Sequence, residues 1–183
     1  DMVSGTTPDF PMESVVLSPT DTSANINPYS ALIVKTASAL PGGVNEANVS
    51  SAKAAVMAHL NFGLDTTLVE DPIRTRINDD NVAEVIKASE TLAEAIRRTR
   101  DALQRQGETI TGDDVLNSLA ADLTDGILDG VGSAAADAKL TAVAIVSSAQ
   151  VLVEALENRL KVNGTVATAA MDRALQLTRS PLS

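Results

Sequence analysis

The chain has 183 residues, 44% of them hydrophobic but only 2% aromatic, with no cysteine and a formal charge of -10. A chain of this length can bury one sizeable core unaided, and its apolar share is that of a folded protein. The acidic surplus repels phosphate backbones and anionic lipid, which argues against nucleic acid and membrane surfaces as partners. Zero cysteines exclude disulfides, thiol catalysis and thiolate metal sites. No run approaches the roughly 18 consecutive apolar residues of a membrane span, so membrane insertion is not expected. No basic segment followed by an apolar one opens the chain at Asp1, and the expectation is a processed or excised piece whose export signal lies upstream.

Residues 1–29 hold Pro8, Pro11, Pro19 and Pro28 among Ser, Thr, Asp and Asn, with no helical period. Phe10, Met12, Val15, Val16 and Leu17 give this stretch apolar groups to bury, so it reads as an extended strap along the rest, or as a linker. Helical patterns then follow one another. Pro28 suits a first turn, and Ala31, Leu32, Val34, Ala37 and Leu40 run to the stop at Pro41-Gly42-Gly43. A second helix is predicted over 46–62, with Val49, Ala52, Val56 and Leu60 on one face. A loop around Asp71-Pro72 leads to a third, capped by Asp79 or Asp80, with Val82, Val85, Ile86, Leu92, Ala93, Ile96 and Leu103 as its buried stripe.

Thr111-Gly112-Asp113-Asp114 opens a fourth helix carrying Val115, Leu116, Leu119 and Leu123, with acids suited to the positive helix end. The acidic turn 125–132 separates it from a long fifth helix, predicted over 133–162. Its buried stripe is Leu140, Val143, Val146, Ala149, Leu152, Val153, Leu156 and Leu160. Asn163-Gly164 breaks that helix, and a sixth is predicted over 165–178. The fold class expected is all-α: a strap over 1–29 and a bundle of five to six helices over 30–183.

Several segments occur in the order of a known pattern. Ser14-Val15-Val16-Leu17 leads to Asn27-Pro28-Tyr29-Ser30-Ala31-Leu32. Phe62-Gly63-Leu64, Asp71-Pro72-Ile73 and the run from Ala121 to Gly130 (ADLTDGILDG) follow. Over residues 10–132 the chain resembles a helical domain of large exported bacterial surface proteins and lipoproteins that also carry immunoglobulin-, cadherin- or carboxypeptidase-regulatory-like modules. It departs from that family where Tyr29 and Ser30 replace the usual Leu and Thr. The resemblance implies export to the periplasm or cell surface, a non-catalytic role, and no catalytic residues to carry over.

The residues themselves offer little chemistry. His59 is the only histidine, so the common zinc sets are excluded and a Ser-His-Asp site has one possible base. At the end of a helix its commoner use is to bond a carbonyl or offset the negative helix end. Gly130-x-Gly132-x-x-Ala135 fits the loosest dinucleotide pattern but lacks the preceding strand. Asp122, Asp125 and Asp129, with intervening carbonyls, form a candidate calcium site. Their spacing is not that of an EF-hand, and turn and cap roles are the commoner use. Glu90, Glu94, Arg97, Arg98, Arg100 and Asp101 read as opposite charges on a solvated helix face.

The function expected is a non-catalytic structural or interaction module, a spacer within an exported multidomain protein. Its partners would be other domains of the same chain or another protein, and no cofactor is expected beyond calcium. The alternative is a binding domain for an apolar small molecule or lipid, because an alanine-rich bundle with few large side chains can leave a cavity.

Overall fold

The structure is a computed structural model that describes residues 9–18, 20–157, 161–162 and 165–166. Among them the chain is all-helical, with α1 at Pro28–Ala39, α2 at Glu46–Leu60, α3 at Val82–Arg105, α4 at Gly112–Asp122 and α5 at Ala138–Glu157. A single 3-10 turn, Leu123–Asp125, extends α4. Beyond α5, Lys161–Val162 and Thr165–Val166 form a minimal antiparallel pairing. The sixth helix expected over 165–178 falls outside the described residues.

Helix α1 is the hub. Asn27 accepts a hydrogen bond from the Ser30 N–H while the Ser30 hydroxyl caps the Asn27 N–H, and Pro28 pre-sets the first turn. Tyr29, Leu32, Ile33, Thr36 and Ala37 are all buried, so α1 is surrounded and shows little amphipathic character. It packs chiefly against α2 and α4, while α3 packs chiefly against α5. A single hydrophobic cluster runs through the helices and includes Phe10 of the strap and Leu64, Val69 and Ile73 of the loop before α3.

The strap docks as the apolar groups of residues 10–17 suggested. Phe10 is buried, Val15 and Leu17 pack against the core, and Met12 and Val16 stay exposed. The Ser30 hydroxyl donates to the Glu13 carbonyl at 2.6 Å, and the Asn25 N–H donates to the Ile73 carbonyl at 2.8 Å. A Cβ at Gly112 would stand 2.7 Å from the Asp9 carbonyl oxygen, so only glycine lets the strap pass this close to the start of α4.

Two helices depart from their sequence patterns. Helix α3 is not capped by Asp79 or Asp80, which are exposed. Asn78 instead accepts from the Asp80 and Asn81 N–H groups, and buried Asn81 donates to the Arg76 carbonyl at 3.0 Å. Its buried stripe is Ala88, Thr91, Leu92, Ala95, Ile96, Thr99 and Leu103, whereas Ile86 is 56% exposed. Threonine is tolerated inside because Thr91 and Thr99 each donate their hydroxyl to the carbonyl four residues back, both at 2.7 Å. Helix α5 begins at Ala138 and not at Ser133, since the Asp137 carboxylate accepts the Leu140 N–H at 2.9 Å and fixes the start there. Its buried residues are Leu140, Thr141, Ala144, Ser147 and Val151, while Val146 and Ala149 of the expected stripe face outward.

Candidate functional site

The acidic turn between α4 and α5 brings the three candidate aspartates into one reversal, where they do different jobs. Asp122 ends α4 and is fully buried. One carboxylate oxygen accepts the Gly130 N–H at 2.8 Å and the Asp129 N–H at 3.4 Å. The other accepts the Thr141 hydroxyl at 2.7 Å. A single side chain thereby joins the end of α4, the far side of the turn and the first turn of α5. Asp125 and Asp129 are exposed, and each accepts the N–H two residues ahead, at Ile127 and Val131, both at 3.0 Å. These are local Asx turns of the kind aspartate commonly makes.

The turn is also held from below. The Ser133 N–H donates to the Ala121 carbonyl at 2.8 Å, tying off the end of α4. Gly132 lies against the Ala121 and Asp122 carbonyls so closely that a Cβ has no room. Gly126 and Gly130, at φ +88° and +85°, supply the left-handed bends. The pattern Gly130-x-Gly132-x-x-Ala135 is thus explained by chain reversal, and a helix, not a strand, precedes it. His59, at the end of α2, donates from Nε2 to the Gly126 carbonyl at 3.0 Å and links α2 to the same turn.

The three carboxylates do not converge: Asp122 points inward to its hydrogen-bond donors, and the other two point to their own turns. No cluster of three His, Asp or Glu side chains able to hold a metal ion occurs among the described residues.

A second constellation was legible only in part. Glu94 bonds Arg97 and Arg98, each at 2.6 Å, and Asp101 bonds Arg97 at 2.8 Å and Arg100 at 2.6 Å. Those neighbours share a helix and follow from spacing. The two long-range partners do not: Arg98 grips Glu154 of α5 in a two-pronged bond of 2.6 and 3.0 Å, and Arg100 pairs with Asp9 of the strap. The expected solvated face is instead a half-buried band that ties the strap and α5 to α3. Burial pushes the Glu94 carboxyl up, but the hydrogen bonds and charges of Arg97 and Arg98 outweigh it and hold the group below its ordinary value.

The grooves are modest. One of 390 Å³ lies between the strap, α1 and α4, and another of 260 Å³ is bordered by Phe62, Leu128, Ile145 and Leu152. No family model, no curated protein and no solved structure significantly matches the chain.

Proposed function

We propose that this chain is a non-catalytic structural or interaction module, a spacer within an exported bacterial multidomain protein. The observation that carries the reading is the ionic band on α3, whose arginines are spent on holding the strap and α5 and not on a ligand. The acidic turn supports it in the same way, because its buried carboxylate serves the chain reversal. The test uses the complete gene product in its host. Protease added to intact cells should cut within this domain if it is displayed outside. Deleting the domain should leave export of the remainder intact while changing partner capture or reach. Resistance to protease both in intact cells and after the outer envelope is opened, with cleavage only on full lysis, would place it inside and overturn the reading.

The second reading, binding of an apolar small molecule or lipid, draws on the groove at Phe62, Leu128, Ile145 and Leu152. At 260 Å³ it falls just below the ~300–1,000 Å³ of ordinary ligand pockets, which is why this reading ranks second. A native mass spectrum retaining an apolar ligand would promote it.

A further inference from the structure

Helix α5 packs on α3 and, less, on α4. Between α5 and the end of α2 lies the 260 Å³ groove, with His59 and Phe62 on one side, Ile145, Ala149 and Leu152 on the other, and Leu128 of the acidic turn completing it. Positions 145, 149 and 152 fall at four- and three-residue steps, so one stripe of α5 lines the groove. Ile145 on that stripe is 46% exposed, and although Ala138–Ala155 has a mean hydropathy of 1.4, only 28% of it is buried. The opposite wall is set against local preference: Phe62, at φ 49°, is the only described residue other than glycine in the left-handed region.

The rim beside this apolar channel is acidic. The turn that brings Leu128 to the groove also exposes Asp125 and Asp129. Each carboxylate accepts a backbone N–H two residues ahead, and among the described residues neither has a cationic partner. His59 is the one ionisable side chain among the lining residues, and its ring is engaged by the Gly126 carbonyl. Unpaired carboxylates next to an apolar channel repel anionic ligands and complement a segment that is apolar on one face and cationic on the other. The two-pronged Arg98–Glu154 pair holds α5 on α3, which argues against a helix that leaves the bundle for a bilayer.

We propose that this groove docks a basic amphipathic helix of a partner protein, with its aliphatic side chains between α5 and the end of α2 and its lysines or arginines facing Asp125 and Asp129. The groove is small for a free ligand, yet it accepts the anchor side chains of a helix whose remainder lies along the surface. The inference rests on the reading of the chain as an interaction module and names the kind of partner that module takes.

The probe is a fluorescein-labelled synthetic helix with leucines at three- and four-residue steps on one face and lysines on the other. It is titrated with the full chain and followed by anisotropy. Docking predicts saturable binding that Ile145→Asp weakens about tenfold or more. Ala149→Lys, at a second exposed position of the same stripe, should do the same, and circular dichroism checks that each variant stays helical. Asp125→Asn with Asp129→Asn keeps both turn bonds, because an amide oxygen accepts the same N–H groups. This pair should weaken binding and flatten its dependence on salt. Asp79→Asn with Asp80→Asn makes the same change in net charge at exposed positions before α3 and should leave binding unchanged. Equal weakening by the two pairs would show attraction to the acidic surface as a whole and overturn the proposal. Undiminished binding in Ile145→Asp and Ala149→Lys would place the helix elsewhere and overturn it too. So would a concentration-dependent dimer of the unaltered chain that Ile145→Asp abolishes, or transfer of that chain onto neutral phosphatidylcholine vesicles. Failure of the probe to bind overturns this proposal alone, since protease access in cells tests the module reading without reference to the groove.

Discussion

Asp122 does at one position what the acidic run as a whole was expected to do. Its buried carboxylate receives two backbone N–H groups and one buried hydroxyl. Asp122→Ala leaves the buried Thr141 hydroxyl and the half-buried Gly130 N–H unpaired, so urea unfolding should show a loss of about 2–4 kcal/mol. Asp125→Ala and Asp129→Ala, each removing an exposed Asx turn, should cost under about 1 kcal/mol in the same assay. If the turn is organised by these bonds, midpoints in millimolar calcium and in chelator should coincide. A large rise with calcium that Asp125→Ala abolishes would establish a metal site.

Tyr29 offers a second probe, because it is the only tyrosine in the chain. Burial pushes its phenol well above the ordinary 10.0, and the hydroxyl donates to the Asn61 carbonyl at 2.8 Å. The folded state therefore holds its proton where the unfolded state has lost it. Stability from this group is complete below the unfolded value and falls as pH rises from about pH 10. Phenolate absorbance should appear together with loss of helix and not before it, and Tyr29→Phe should flatten that alkaline decline.

At the scale of elements, the strap and helix α3 show what a sequence can and cannot disclose. Residues 10–17 carried too many apolar groups to stay in water, and Phe10 is indeed core. Deleting residues 1–18 should leave a helical protein with a lower unfolding midpoint and added dye binding, and Phe10→Ala alone should cost about 3–5 kcal/mol. An unchanged midpoint on deletion would show that the docked strap contributes nothing. Caps with explicit chemistry were readable: Thr111 and Asp114 form the capping box expected at the start of α4. Stripes were less so. Ile86 looks like a core residue and is exposed, while Thr99 looks like a surface residue and is fully buried. The difference is rotational: two adjacent helix faces can both be apolar, and only the neighbour decides which one turns inward. The same ambiguity on α5 misassigned Val146. At the acidic turn, the three aspartates stand out in the sequence, but the inward turn of Asp122 depends on Thr141, which belongs to the next helix.

At the scale of the molecule, charge separates two roles that composition had merged. The acidic excess gives the surface a repulsive field of one sign, while three of the nine arginines, Arg97, Arg98 and Arg100, are gathered in one band from Glu94 to Asp101. Because Glu94 is held below its ordinary 4.5, its contribution to stability is present above that value and is lost as pH falls through the lower, folded-state value. Acid unfolding followed by circular dichroism should therefore be less steep in Glu94→Gln, and high salt should blunt the same difference, since these side chains are partly exposed.

That band also decides how the domain would carry tension. Asp9, near the start of the described chain, and Glu154, in the last described turns of α5, clasp the same short length of α3. A pull applied through those two points loads the chain of ion pairs Asp9, Arg100, Asp101, Arg97, Glu94, Arg98 and Glu154, alongside buried Phe10 and the Ser30–Glu13 bond that tie the strap to the core and α1. The strap is held by these side chains and the bundle by the core its helices share, so the strap can yield first while the bundle keeps its shape. In an optical trap, a first, small extension should precede the main rupture, and Arg100→Ala should lower the force of that first step while leaving the second unchanged.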